Sequence, residues 1–181
     1  MIKEDLYFKI INLYDDWRDL NDAFQSIEKR KIVGNNVLIS KGRGINMHES
    51  ISEIICCYVN DFEYVTKSSE DAVDPKNGDL VQIKSSSNWN SDLTSFGPTS
   101  VFDQLHFLRL KRSDLKDEFY LYKIPIDELY DIKVNMHQTF RDQQLQNRRP
   151  RFSIINKYIK KYNIEPYAIV NMENGDITML D

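Results

Sequence analysis

No apolar run in this chain of 181 residues approaches the 18 or so needed to cross a bilayer, so a membrane-spanning helix is not expected. The first ten residues, MIKEDLYFKI, contain early acids and no apolar signal core, which argues against secretion and makes a cytoplasmic location the expectation. Cysteine is scarce. Cys56 and Cys57 are adjacent, lie in an apolar stretch and form no C-x-x-C, so they read as buried packing residues rather than a bridge or a metal clasp. The three histidines, His48, His106 and His137, lack metal-ligand spacing, and no zinc site is expected. A Ser/His/Asp arrangement, a phosphate-cradling glycine loop, internal repeats and low-complexity linkers are also missing from the pattern. What is present is ordinary for a folded protein: 41% hydrophobic and 29% charged residues, a length that fits one domain over 1–181, and a net charge of −4.

That net charge hides an asymmetry. Between Arg141 and Lys161 the bases are Arg141, Arg148, Arg149, Arg151, Lys157, Lys160 and Lys161, against the single acid Asp142. Between Asp61 and Val81 the acids are Asp61, Glu63, Glu70, Asp71, Asp74 and Asp79, against Lys67 and Lys76. A basic stretch beside a separate acidic cluster suits a DNA-binding surface next to a metal site, and equally two solvated faces of opposite sign.

Periodicity gives a mixed α/β order. Ile2, Leu6, Ile10, Leu13 and Trp17 predict a helix over the first twenty residues, and Asn21-Asp22 a cap for a second one over 23–30. A turn-rich stretch follows. Met47–Val59 reads as a helix with Ile51, Ile54, Ile55 and Tyr58 on one stripe and Glu49 and Glu53 sharing a face. Strands are expected at 62–66, about 70–74 and 80–85, with Asn77-Gly78 turning the last two into a hairpin. Central strands are expected at 105–110 and 119–124, a short helix at 126–130, a helix capped by Ser153 through Lys161, and a closing hairpin of 167–171 and 177–180.

The hairpin raises the chemical question. Gln82 and Lys84 share one face of a strand whose other face carries Val81 and Ile83. A four-residue loop would set Asp71 opposite Gln82, and a two-residue loop would set it opposite Lys84; both leave Asp74 on the far side. A carboxylate, an amide oxygen and a lysine on one face suit phosphodiester hydrolysis with Mg²⁺, which takes hard oxygen ligands and keeps several waters. A structural Asp–Lys pair at a sheet edge fits the spacing as well.

Asp71…Gln82-Ile83-Lys84 resembles the PD-(D/E)XK motif of type II restriction endonucleases, and Asp71-Ala72-Val73-Asp74 with Lys84-Ser85 is similar to the blunt cutter of CAGCTG. GRGINMHESISE, SDLTSFGPTSVFDQL and QTFRDQQLQNRRPRFSI resemble a family of small restriction enzymes cutting GCNGC sites. The resemblance implies a mixed central sheet flanked by helices, with residues 1–45 as a helical arm for dimerisation and DNA wrapping. It implies Mg²⁺-dependent double-strand cleavage of a short GC-rich DNA site by a homodimer, and a companion DNA methyltransferase. Catalytic residues would be Asp71, Gln82, Lys84 and Glu53, with Asp71 and Gln82 on the metal. DNA contacts would come from Arg43, Thr94, Ser95, Phe96, Arg141, Gln144, Asn147, Arg148, Arg149 and Arg151. The sequence departs from the motif at Gln82, where an acid is usual; Glu53 or Glu49 could supply the missing charge. A junction-resolvase-like nuclease and a DNA-binding module with a decayed nuclease site remain open.

Overall fold

The computed structural model describes residues 2–66 and 69–180. Helix α1 (Glu4–Ser26) leads into a hairpin of β1 (Glu28–Val33) and β2 (Asn36–Lys41). Helix α2 (Glu49–Asn60) is followed by β3 (Glu63–Tyr64), β4 (Ala72–Val73), β5 (Leu80–Ser86) and β6 (Thr94–Ser95). Long strands β7 (Gln104–Arg112) and β8 (Asp117–Ile124) precede a 3-10 turn at Leu129–Asp131, helix α3 (Phe140–Leu145) and β9 (Arg151–Phe152). A wide-turned helical segment, Ile155–Ile159, runs into α4 (Lys160–Tyr162), and β10 (Ala168–Asn171) and β11 (Ile177–Met179) close the chain.

The main sheet has seven strands in the order β11-β10-β8-β7-β5-β4-β3. Among the described residues only the β5–β7 pair is parallel, so the sheet is mixed, as expected. The alternation along its strands divides the core. Val81 and Ile83 of β5, with Leu108, Leu110, Phe119 and Leu121, pack on α1 and α2 through Tyr14, Ile51 and Ile55. Leu105, Phe107 and Ile124 pack with Phe96, Phe140, Phe152 and Ile155 in a second cluster. Each fully buried large apolar side chain contributes about 1.5–3 kcal/mol, so these two clusters fix β5 from its neighbours on either side. Cys56 and Cys57 are free and buried, as their apolar surroundings indicated. Burial pushes the Cys57 thiol up to about 12, which keeps it protonated and inert. His106 is likewise a core residue: burial lowers its pKa to about 4, and its ring bonds the Tyr167 hydroxyl at 2.9 Å. His48 caps α2, its Nδ1 accepting from the Ser50 amide at 3.2 Å.

Several elements differ from the periodicity. No separate helix occupies 23–30; α1 continues unbroken to Ser26, and Glu28–Val33 leaves it as a strand. The arm over 1–45 is therefore a helix plus a β-hairpin, closed by Gly34-Asn35 with Gly34 at φ +60°. That glycine-led two-residue turn, between Ile32-Val33 and Asn36-Val37, is a hairpin signal that the turn-rich reading passed over. The chain returns tightly along α1: a Cβ at Gly42 would lie 2.0 Å from the Phe24 carbonyl oxygen. The helix expected at 126–130 is the shorter 3-10 turn. The short α3, which periodicity missed, is fixed by a capping box between Thr139 and Asp142. Ser153 caps its segment as expected, accepting from the Asn156 amide at 3.1 Å.

Candidate active site

The register of the β4–β5 hairpin decides which aspartate faces the cleft. Ala72 pairs with Val81 and Val73 with Leu80. The Asp74 amide bonds the Asp79 carbonyl at 2.9 Å and the Gly78 amide bonds the Asp74 carbonyl at 2.8 Å, so Pro75–Gly78 form a four-residue loop. Gly78 takes the left-handed φ of +81° that this turn requires. Of the two loops the spacing allowed, this one sets Asp71 opposite Gln82.

Asp71 then gathers three donors on one oxygen. Its Oδ2 accepts from Gln82 Nε2, from the Ile83 amide at 2.7 Å and from Lys84 Nζ at 3.4 Å. Asp74 does other work: its carboxylate accepts from the Lys76 amide at 3.0 Å and Gln104 Nε2 at 3.2 Å, which stabilises the turn. Gln82 is buried and Lys84 half-buried, so the charge on Asp71 is what makes a lysine tolerable on this face.

Helix α2 brings Glu53 to the same place. Its Oε2 accepts from the Tyr64 hydroxyl on β3 at 3.0 Å. Burial, and next the negative charge of Asp71, hold the Glu53 carboxyl above the usual carboxylate range. Two carboxylates that repel each other in a partly desolvated site suit a divalent cation, which would relieve that repulsion. All the donors are oxygens, as Mg²⁺ prefers. Among the described residues no group of three or more His, Cys, Asp and Glu side chains is placed to hold a metal ion. With Nε2 turned to Asp71, the Gln82 amide oxygen is the arm left for a metal. Glu49 is exposed at the mouth of the cleft and has no such pairing among the described contacts.

These residues form the floor of a cleft of about 910 Å³ whose walls include Ser85–Ser87, Asp92–Ser95, Gly97–Ser100 and Arg149. The walls come together through a two-strand ladder in which Thr94 pairs with Phe152 and Ser95 with Arg151. Arg149 thus joins the catalytic candidates across the cleft. Arg148, Arg151 and Asn147 are exposed beside it, with Asn147 in the left-handed conformation at φ +54°. Arg141 is exposed and its guanidinium lies 5.4 Å from the Tyr130 ring centre, and Arg43 is exposed after the hairpin.

Three of the expected DNA contacts have their side chains engaged within the protein. The Phe96 side chain is fully buried, stacked on Phe102 and Phe152 with centroids 5.9 and 5.6 Å away, so it is a core anchor for the loop rather than a reading residue. Gln144 Nε2 bonds the carbonyls of Gly97 at 3.3 Å and Ser100 at 3.1 Å, so its amide holds the wall from behind. Thr94 is also buried, and its hydroxyl is spent on Asp92 at 2.7 Å. Sequence reasoning overlooked Tyr64, Asp92 and the Ser52–Ser85 hydroxyl pair at 2.9 Å that ties α2 to β5. Asp92 and Ser52 act on residues 33 to 63 positions along the chain, and Tyr64 on one 11 positions away.

Residues 2–161 match the family model described as Bsp6I restriction endonuclease. The chain is 40% identical over 172 residues to the type II restriction enzyme Bsp6I of Bacillus sp. (strain RFL6), a match spanning 94% of this chain and 90% of that enzyme. No solved structure matches the chain significantly.

Proposed function

The chain belongs to the Bsp6I restriction endonuclease family, and we propose that it is itself a type II restriction endonuclease, cutting both strands of a short GC-rich, GCNGC-like site with Mg²⁺. The observation that carries this reading is the convergence of Gln82, Ile83 and Lys84 on one oxygen of Asp71, beside Glu53, at the floor of a cleft walled by Arg149. The motif and the mixed sheet support a PD-(D/E)XK nuclease.

Asp71, the Gln82 amide oxygen and Glu53 would hold the ion. Mg²⁺ when bound supplies Lewis-acid stabilisation of the phosphate charge and a more acidic water. Lys84 orients the attacking water and neutralises charge developing on the scissile phosphate, a role suited to an ammonium held by a carboxylate at 3.4 Å. Tyr64 fixes the Glu53 carboxylate through its hydroxyl. Arg149, with Arg148 and Arg151, offers the planar donors that pair with O6 and N7 of guanine in the major groove.

A two-fold target is best met by a two-fold protein, and the N-terminal arm supports a homodimer. Leu6, Leu13 and Leu20, seven apart on the outward side of α1, are 39%, 44% and 51% exposed, and Ile32 of the hairpin is 77% exposed. The helix carries six acids and two bases, whereas 28–43 carries five bases and one acid, so the two features of neighbouring copies complement each other. A companion DNA methyltransferase would protect the host sites.

Incubating purified protein with plasmid and Mg²⁺ tests the reading. Discrete fragments support it. Cleavage confined to branched DNA would identify a resolvase, and tight binding without cleavage a DNA-binding module.

A further inference from the structure

Asp92 lies at the edge of the cleft, yet its carboxylate is turned into the protein. Its Oδ1 accepts from the Ser153 hydroxyl at 2.6 Å and the Ile155 amide at 3.1 Å. Its Oδ2 accepts from the Thr94 hydroxyl at 2.7 Å and the Ile154 amide at 2.9 Å. One half-buried side chain therefore satisfies four donors, three of them 61 to 63 residues away. Two of the four are backbone amides at the start of the Ile154–Tyr162 helical segment, where such groups lack partners within the helix.

This carboxylate joins two segments that also meet through the Phe96–Phe152 stack and a short ladder. Thr94–Ser95 and Arg151–Phe152 make two residue pairs, extended by the Phe96 amide on the Pro150 carbonyl at 3.0 Å. A two-residue ladder has little stability of its own. Asp92 grips it at one end, two residues from both Thr94 and, through Ser153, Arg151. Gln144 holds the other end of the loop through Gly97 and Ser100. Arg149 and Arg151 are exposed on this clamped unit, as is Leu93 on the cleft wall, whereas the Ser95 hydroxyl is buried.

We propose that Asp92 is a positioning residue for target discrimination: it touches no DNA, but sets the segment carrying Arg149 and Arg151 in register with the Thr94–Ser95 strand so that both segments meet the same base pairs. The inference rests on the cleft being a DNA-cleavage site. Bidentate recognition of a base edge needs its donors held to a fraction of an ångström, so a loosened clamp loses discrimination before it loses chemistry. Asp71 and Lys84 belong to another hairpin and keep their bonds when Asp92 is changed.

The test is cleavage of plasmid DNA in Mg²⁺, with fragment-end sequencing to count cuts at the wild-type sites and at sequences one base different. Asp92→Asn keeps the size but turns an NH₂ towards donors. The expected result is a fall of about tenfold in the ratio of wild-type-site to variant-site cuts, with the protein folded by circular dichroism. Ser153→Ala removes one long-range bond and should lower the ratio less, whereas Thr94→Val, which removes only the local bond, should lower it least. If Asp92→Asn does not fold, Ser153→Ala carries the test against Thr94→Val. Unchanged discrimination in the folded variants overturns the proposal. Absence of cleavage by the wild-type protein would instead defeat the nuclease reading on which it rests.

Discussion

In the floor of the cleft, Asp71, Gln82, Ile83 and Lys84 come from one hairpin and are joined by hydrogen bonds spanning 11 to 13 residues. In its wall, Asp92 and Phe96 meet Pro150–Ile155, with bonds spanning 54 to 63 residues. The floor is anchored by strands packed into the core, whereas the wall carries exposed arginines on a short ladder. On the proposed reading the difference separates two tasks. Chemistry needs a few groups at fixed distances, and a hairpin with a set register supplies them locally. Reading a base sequence needs groups spread over a wider surface, and these must be assembled from distant segments.

If the floor is the catalytic unit, Lys84→Ala should show the largest effect. Loss of its charge removes several kcal/mol of transition-state stabilisation, on the order of a thousandfold in cleavage rate, while the reading wall stays intact. Near-normal single-turnover rates would remove Lys84 from the mechanism.

The wall should behave differently. Arg149→Ala should leave the cleavage chemistry in place and cost about 1–3 kcal/mol in binding the preferred duplex, with relaxed preference at one position. Titrations over a range of salt, on preferred and single-substituted duplexes, distinguish this from a phosphate contact, which would weaken all duplexes alike and reduce the salt slope by about one. Equal weakening would mean that Arg149 reads no base.

Gln82→Glu addresses the departure within the floor. A carboxylate binds Mg²⁺ more strongly than an amide, so the midpoint of the Mg²⁺ activation curve should fall; an unmoved midpoint would leave Gln82 a packing partner of Asp71. The smallest effect is on stability. Glu53 has a raised pKa in the folded chain, so the stability it contributes is present below its unfolded value, 4.5, and is lost as pH rises through the higher folded value. Glu53→Gln cannot ionise. Thermal unfolding in chelator should therefore show the wild type falling behind this variant as pH rises through that window, and a difference that does not vary with pH would contradict the burial of Glu53 beside Asp71.

The same contrast explains what could be read from the sequence. Alternation along Leu80–Ser85 and the Asn77-Gly78 turn placed Gln82 and Lys84 together, and either loop length put Asp71 with them, because side-chain direction in a hairpin follows parity. Apolar runs located β7 and β8. The wall was less legible. Phe96 looked like a loop residue because nothing local shows that Phe102, Phe140 and Phe152 enclose it. Gln144 read as a DNA contact and Asp92 drew no reading, because the partners that engage them lie 44 to 63 residues away. The β1–β2 hairpin was missed for another reason: its strands are exposed on both faces, so no burial pattern marks them.

The most direct test compares the wild type with Asp71→Ala on plasmid DNA. The wild type in Mg²⁺ should give discrete fragments that disappear in chelator. Asp71→Ala should give none, while in Ca²⁺ it should retard the same DNA with an affinity close to that of the wild type. Cleavage by Asp71→Ala at a rate near that of the wild type would contradict the assignment of this hairpin as the catalytic centre.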